Sequence, residues 1–255
     1  MKIEEYFKGE ATAVKHCPKR GECPMAMLCG HDVDGGAGLY PTLANIATGD
    51  LVWADLRHEQ RVFVIREGVF SCITDLEKDR EVPFALYGSG YIIGLAELYI
   101  RREIASRYFL RALTPGTVCS FSAKALKRHL ESQPGPLMAE ALACSLINLS
   151  AASHTQSRIV SNPRLYDRIV LLLIRLRELA ARDGRSLDSI ALTHGAVASL
   201  VAADRVATTR VLHKLEQDGL VELGYRSLKI CDAVDELAAT IPGAHTEFHT
   251  AFCGE

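Results

Sequence analysis

The residues best suited to chemistry in this sequence are three cysteines near its start. Cys17, Cys23 and Cys29 recur at six-residue steps within HCPKRGECPMAMLCG (16–30), a segment without helical or strand periodicity. Thiolates are soft ligands that suit both iron–sulfur clusters and zinc. Structural zinc sites usually include a closely spaced C-x2-C pair, which this segment lacks. The pattern therefore favours a cluster over zinc, and ordinary thiols in a polar arm are the remaining alternative.

The composition of the chain is that of a globular protein. It has 255 residues, of which 48% are hydrophobic and 24% charged, and its net charge is −2. This length allows two domains with separate cores. MKIEEYFKGE mixes acids and bases and is not followed by an apolar stretch with a cleavage site, so we do not expect a secretory signal. The longest apolar run, IVLLLI (169–174), is too short to cross a bilayer. We expect a cytoplasmic protein with no membrane partner, whose eight cysteines are thiols or metal ligands rather than a disulfide framework.

The region from Gly49 to Ser122 has the pattern of short strands. VFVI (62–65) and VFSCIT (69–74) flank a turn at Gly68, and similar β-branched or aromatic runs continue to the end of the region. Because no amphipathic helices separate these runs, they favour an antiparallel barrel or roll over a parallel sheet.

Two helices are predicted after this region. Leu137–Val160 lacks Pro and Gly, and its apolar residues recur at helical spacing, so the stripe is either core or a dimer seam. That stripe comprises Met138, Leu142, Leu149, Ala152 and Ile159 or Val160. The second helix lies within residues 162–184, with Asn162 as its N-cap and an end near Gly184. Seven arginines between Arg158 and Arg185 form a local positive excess, which we expect to be a solvated face.

The stretch LTHGAVASLVAADRVATTRVLHKLEQDGLVELGYRSLKI (192–230) predicts two short helices and a β-hairpin. Thr193 and Asp204 are the expected N-caps. One face of the second helix is apolar, and the opposite side presents Arg205, Val206, Thr209, Arg210, His213 and Gln217. Such a helix suits a DNA major groove, where arginine can form two hydrogen bonds with guanine. The hairpin carries Arg226 and Lys229, which could contact phosphates. A helical hairpin used only for packing is the alternative.

A β-roll, a long helix and a winged helix-turn-helix in this order resemble the Crp/Fnr superfamily of dimeric bacterial transcription regulators. The resemblance is most specific in ADRVATTRVLHKLEQDGLV (203–221), where Arg210 occupies the position of the base-reading arginine. Val206 stands where most members have a glutamate that pairs with cytosine, so a thymine methyl becomes a plausible contact. Cyclic-nucleotide members of this superfamily hold the phosphate with a Gly-Glu pair and a later Arg-Ser or Arg-Thr pair. Here Gly94 is followed by Leu95 rather than glutamate, and Ser106 comes before Arg107, so the resemblance does not favour cyclic AMP.

The resemblance implies an α+β fold with an N-terminal antiparallel β-roll of the cupin-like or cyclic-nucleotide-binding kind, a long dimerisation helix and a C-terminal winged helix-turn-helix. The expected boundaries are a cysteine-bearing arm (1–40), the β-roll sensor domain (41–130), the dimerisation helix (131–161), the winged helix-turn-helix domain (162–243) and a tail (244–255).

The Fnr branch of this superfamily holds a [4Fe–4S] cluster with N-terminal cysteines and one cysteine late in the β-roll. CPMAMLC (23–29) matches the C-x5-C part of that pattern, and Cys119 in GTVCSF occupies the late position. The resemblance therefore implies Cys17, Cys23, Cys29 and Cys119 as cluster ligands, although the branch has C-x2-C where this chain has C-x5-C between Cys17 and Cys23. Four-thiolate zinc, or no metal, is the alternative.

The function implied is that of a homodimeric regulator that binds a palindromic double-stranded DNA operator and senses oxygen, nitric oxide or redox state. RNA polymerase would be a further partner of an activator. The alternative is a cluster-free regulator that responds to a small organic effector, with its cysteines as zinc ligands or thiol redox sensors. A second alternative is a metal-stabilised adaptor that binds protein rather than DNA. Ser, His and acidic residues lack the spacing of a nucleophilic site, so we do not expect an enzyme.

Overall fold

The computed structural model describes most of the chain from Leu39 to Ile241. The described residues are 39–52, 61–76, 80–95, 108–132, 136–185 and 189–241, together with Cys23, Met25, Ala26, Cys29, Leu98 and Leu187. Four features of the sequence analysis lie outside the described residues: Cys17, Ser106, Arg107 and the predicted tail.

Two four-stranded antiparallel sheets form the N-terminal β-roll. In spatial order, the first contains β1 (Thr42–Ile46), β8 (Gly116–Ser122), β3 (Arg61–Glu67) and β6 (Ile92–Ile93). The second contains β2 (Leu51–Val52), β7 (Tyr108–Ala112), β4 (Phe70–Leu76) and β5 (Arg80–Tyr87). Every pairing in both sheets is antiparallel. The predicted roll is therefore confirmed.

The turn between β3 and β4 requires glycine. Gly68 has a φ of +100°, and a Cβ there would lie 2.8 Å from the Cα of Gly116 on β8. A side chain would therefore strain the backbone and also collide with the neighbouring strand. This turn is close to the C-terminal domain, because the Gly68 amide donates a hydrogen bond to the Asp183 carboxylate.

Two helices follow the roll along the chain. Helix α1 spans Ala123–Ser132 and helix α2 spans Pro136–Ser161. Two members of the predicted stripe of α2, Ala152 and Ile159, are core, because each is 2% exposed within the largest hydrophobic cluster, whereas Leu142 and Leu149 are half-buried. Among the described side chains of α2, the large apolar ones that are exposed are instead Leu146 and Ile147. No described helix is long and apolar enough to span a membrane.

The C-terminal domain contains four helices and a small sheet. These are α3 (Leu165–Ala181), β9 (Ser189–Ile190), α4 (His194–Leu200), α5 (Arg205–Gln217), β10 (Val221–Gly224), β11 (Ser227–Ile230) and α6 (Ala233–Ala238). Strand β11 lies between β10 and β9, so the predicted hairpin has a third strand. Helix α3 begins later than predicted, because Asn162 does not cap it. The Asn162 side-chain oxygen instead accepts a hydrogen bond from the backbone amide of Arg164, which occupies the N-cap position.

The roll and the C-terminal domain share one hydrophobic core. A single cluster of buried residues includes Phe70 of the roll, Ile159 of α2, Leu179 of α3 and Leu212 of α5. At the contact between the domains, a Cβ on Gly88 would lie 3.1 Å from the Leu179 side chain, so the backbone after β5 lies directly against α3.

Candidate DNA-reading surface and cysteine arm

Helices α4 and α5 are fixed by the two predicted N-caps. The Thr193 hydroxyl accepts a hydrogen bond from the Ala196 amide at 3.1 Å, and the Asp204 carboxylate accepts one from the Ala207 amide at 2.9 Å. Each cap satisfies one amide that the first helical turn cannot pair. The half-buried Thr193 hydroxyl keeps its proton and a second lone pair, so its predicted DNA contact remains a prediction.

The buried side of α5 differs slightly from the predicted one. Leu212 and Leu215 are fully buried, whereas Ala207 and Val211 are only partly buried. Thr208 is also fully buried. Its hydroxyl is satisfied there, because it donates to the carbonyl oxygen of Asp204 at 2.8 Å. Its polar side chain gave no sequence signal of burial.

The opposite side of α5 forms an outward polar surface, which we call the reading face. It comprises Arg205, Val206, Thr209, Arg210 and His213, all of which are exposed except the half-buried Thr209. Val206 is 61% exposed, although an aliphatic side chain of this size normally lies in the core. The structure thus brings together these five α5 residues that the sequence predicted for DNA contact.

A histidine that the sequence analysis did not select lies beside this face. The Nδ1 atom of His194, the first residue of α4, is 3.1 Å from the Thr209 hydroxyl oxygen. Its ring also lies edge-on to the ring of His213, with centroids 6.0 Å apart. The only sequence signal for this contact was the position of His194 directly after the N-cap of the first helix.

The wing is the hairpin of β10 and β11, which follows α5 in the chain. Tyr225 is 93% exposed at its tip, and Arg226 follows with a φ of +53°. The backbone amide of Leu223 donates to the Glu216 carboxylate at 3.1 Å, which connects the wing to α5. Lys229 pairs with Glu222 at 2.7 Å on the neighbouring strand, so part of its charge is balanced within the wing.

The C-terminal end of α5 is braced from α3. The Tyr166 hydroxyl donates to the Asp218 carboxylate at 2.8 Å, and the Lys214 ammonium lies 5.4 Å from the Tyr166 ring centroid. Burial, the hydrogen bond to Asp218 and the negative charge of that carboxylate together raise the pKa of Tyr166 to about 12. The contact therefore favours the neutral phenol.

The arginines of α3 and its C-terminal turn bind other parts of the protein, so the expectation of a solvated face is wrong here. Arg175 donates to the Tyr91 hydroxyl at 3.0 Å, and Arg177 pairs with Asp232 and Asp235 of the last helix. Arg185 pairs with Glu67 of the roll at 2.9 Å. These guanidinium groups join elements together rather than forming a phosphate-binding surface.

The described part of the cysteine arm packs against the roll. Met25 is fully buried in a second hydrophobic cluster with β3, β6, β8 and α1. Cys23 and Cys29 pack against this cluster from the arm, and Cys119 packs against it from β8. Two short turns shape the arm here, since the Ala26 amide donates to the Cys23 carbonyl and the Cys29 amide to the Met25 carbonyl, each at 2.9 Å.

Thiols are ligands that suit iron–sulfur clusters and zinc, but the structure does not bring Cys23, Cys29 and Cys119 together as a metal site. Cys23, Cys29 and Cys119 are half-buried and share one apolar environment, which lowers solvent access to a bound metal. Among the residues that the structure describes, no three His, Cys, Asp or Glu side chains are grouped closely enough to hold a metal ion. Cys144 on α2, expected to be an ordinary thiol, is buried and disulfide-bonded.

The residues next to Gly94 are apolar. Gly94 has a φ of +90°, and a Cβ there would lie 2.8 Å from the carbonyl oxygen of Arg61. Leu95 is 2% exposed within the second cluster, where it packs with Met25. An apolar side chain in this place provides no hydrogen bond to a sugar or phosphate.

The order of the domains and the exposed face of α5 can be compared with known folds. Two antiparallel sheets, a long helix and a winged helix-turn-helix form the Crp/Fnr fold. Residues 167–238 match the model of the Crp-like helix-turn-helix domain. This part of the chain is thus similar to the Crp-like helix-turn-helix domain.

Comparisons with particular proteins agree with this fold. The global nitrogen regulator of Synechocystis sp. (strain ATCC 27184 / PCC 6803 / Kazusa) is 23% identical over 177 residues, which cover 69% of this chain and 78% of that protein. A transcriptional regulator of the CRP family from Thermus thermophilus has a similar structure, with a TM-score of 0.60 and 20% identity. That match covers 79% of this chain and 99% of the other.

The structure of the c-di-GMP responsive global regulator CLP of Xanthomonas campestris is also similar. Its TM-score is 0.59 and its identity 22%, with 74% of this chain and 93% of the other covered. Together with the domain match, these similarities show the Crp/Fnr fold.

Proposed function

We propose that this protein is a homodimeric transcription regulator that binds a palindromic DNA operator through the reading face of α5. The observation that carries this proposal is the composition of that face: two exposed arginines and an exposed valine occupy its first two turns, on a helix held by a cap and by Tyr166. Arginine and aliphatic side chains suit the guanine edge and the thymine methyl group in a major groove.

The proposed roles of individual residues follow from their positions. Arg210 reads guanine, Val206 contacts a thymine methyl, and Arg205 and His213 lie at the two ends of the same face. Arg226 at the wing turn binds a backbone phosphate. RNA polymerase is a partner if the regulator activates transcription.

The test begins with selection of bound sequences from random DNA duplexes, followed by fluorescence anisotropy with the selected duplex. Arg210→Ala should weaken binding by about 1–3 kcal/mol per base contact and relax the preference at one position of each half-site. Arg128→Ala is the matched control, because this arginine is exposed on α1, outside the C-terminal domain. Equal effects of the two variants would contradict the assignment of the reading face.

We further propose that the sensor is a [4Fe–4S] cluster of the Fnr kind, held by Cys17, Cys23, Cys29 and Cys119. Supporting this, arm cysteines and the β8 cysteine pack against the same hydrophobic cluster although they are far apart in sequence. When bound, such a cluster is a redox-active group that oxygen or nitric oxide can degrade.

The same hydrophobic cluster offers a route from the arm to the long helix. Leu142 of α2 packs against it, and the buried Ser145 hydroxyl donates to the Ile92 carbonyl of β6 at 3.2 Å. A change in how the arm packs would therefore alter a contact of α2 one or two turns from its exposed Leu146 and Ile147. In this way the residues of the arm would control dimerisation and operator binding.

The sensor proposal is tested by purification under strict anoxia with assays of iron, sulfide, zinc and visible absorption. Wild type should contain iron and sulfide, and Cys119→Ser should lose both. Cys231→Ser is the matched control, because Cys231 is also half-buried but lies in the C-terminal domain. Zinc without sulfide would indicate the four-thiolate zinc site instead, and a metal-free protein would exclude both sites.

A further inference from the structure

The contact between His194 and Thr209 links the first helix of the helix-turn-helix to a residue of the reading face. The distance of 3.1 Å between Nδ1 and the hydroxyl oxygen is that of a hydrogen bond. Thr209 is half-buried between the exposed Val206 and His213, one helical turn from each. A base that approaches Thr209 therefore meets a hydroxyl that already has a partner.

The direction of this hydrogen bond determines what the hydroxyl can offer to DNA. If Nδ1 carries no proton, it accepts the proton of the threonine hydroxyl, whose remaining lone pairs can only accept. If Nδ1 carries a proton, as in the imidazolium, it donates to the threonine oxygen, and the hydroxyl proton is free for a base. Adenine N6 and cytosine N4 suit the first state, and thymine O4 and guanine O6 suit the second.

We propose that His194 is a positioning residue that sets the hydrogen-bonding direction of Thr209 and thereby the base preferred at one operator position. This inference rests on the proposed function, because it assigns a role within the same DNA-reading surface. Where the neutral His194 ring carries its proton on Nε2, addition of a proton at Nδ1 shifts the preference of Thr209 from bases that donate to bases that accept.

The titratable groups shown nearest to His194 are His213 and, through it, Glu216 on α5. His213 is its edge-on neighbour, and the Glu216 carboxylate is 3.4 Å from the Nδ1 atom of His213. Arg205 and Arg210 also belong to the reading face, and Asp204 precedes it as the N-cap. Helix α4 has no acidic residue in its first turn and no basic residue in its last turn, so within the described helix-turn-helix the nearby charges come from α5 and its cap.

The experiment uses the full-length protein and the duplex selected above. Thr209→Val keeps the shape of the side chain without its hydroxyl, and so identifies the operator position at which preference is lost. Duplexes with each base pair at that position are then titrated at about pH 6 and about pH 8, where histidine side chains commonly change charge. Wild type should change its relative preference between accepting and donating bases by about three- to tenfold, as for one neutral hydrogen bond.

Substitution of the histidine should remove this change. His194→Phe should bind with a weak preference at that position that is the same at both pH values. His194→Asn, whose amide can place a donor or an acceptor near the position of Nδ1, should restore a preference without the dependence on pH. Because His213 belongs to the reading face, His213→Phe should weaken overall binding, but the change in base preference between the two pH values should persist. Circular dichroism melting verifies that each variant is folded.

Two results would overturn the inference: a pH-dependent preference that persists in His194→Phe, or one that disappears only in His213→Phe. A wild type that selects DNA through Arg210 but shows the same preference at both pH values would overturn it and leave the proposed function intact. A wild type that binds no DNA would instead contradict the proposed function itself.

Discussion

Removal of the Asp183 carboxylate should loosen the C-terminal domain from the β-roll. Asp183 follows α3 and accepts a hydrogen bond from the Gly68 amide at 2.6 Å, across 115 positions of sequence. Gly68 is buried at a turn whose backbone conformation is restricted, so its amide has little freedom to find water. Asp183→Ala should therefore leave a buried donor without its carboxylate partner.

The expected magnitude follows from the charge and burial of the pair. A hydrogen bond to a charged group contributes about 1.5–3 kcal/mol, and about 2 kcal/mol corresponds to a roughly 30-fold larger population of the opened state. The ion pair of Arg185 with Glu67 joins the same two domains, but its side chains are 49% and 33% exposed. Arg185→Ala should therefore cost less than about 1 kcal/mol.

Hydrogen exchange detected by mass spectrometry measures this difference locally. In the regime where exchange reports the opening equilibrium, peptides that contain Gly68 should exchange about 30 times faster in Asp183→Ala and less than about fivefold faster in Arg185→Ala. Peptides from β10 and β11 serve as an internal reference, because they lie away from this contact. Similar rates in the two variants would refute the conclusion that the carboxylate dominates the contact.

Three other predictions concern pH, dimerisation and sequence preference. The raised pKa of Tyr166 means that the folded state retains the phenol proton, so this stabilisation is present below pH 10.0 and is lost towards about pH 12. The difference in unfolding free energy between wild type and Tyr166→Phe, measured with urea, should decrease over that range. Leu146→Glu should weaken the dimer in sedimentation equilibrium, whereas Ser150→Glu, at another exposed position of α2, tests whether charge alone is responsible. Val206→Glu should change the selected base at that half-site position from thymine to cytosine, whose N4 amine donates to a carboxylate.

Much of the helix-turn-helix could be predicted from sequence because its determinants are local. Thr193 and Asp204 act within one turn of their own helices, and Gly219 has the positive φ expected after a helix, 72°. The exposed side of α5 also follows directly from helical periodicity. These features require no knowledge of the remaining chain.

Contacts between distant segments could not be predicted in the same way. The apolar stripe of α2 was compatible with either core or a dimer seam, and only packing against the two domains identifies its Ala152 and Ile159 as core. The arginines of α3 have acidic and aromatic partners on the roll and on α6, and no spacing rule connects those positions. The His194 contact depends similarly on the angle between α4 and α5.

The shared hydrophobic core has a consequence for dissecting this protein. Leu179 lies against Gly88 of the roll and belongs to the same cluster as Phe70. A fragment that starts at α3 would therefore expose apolar surface that is buried in the full chain. Such a fragment would tend to self-associate, so its behaviour would be a poor guide to the native molecule. Cutting between the β-roll and the C-terminal domain would therefore cut through a packed hydrophobic core rather than a flexible linker.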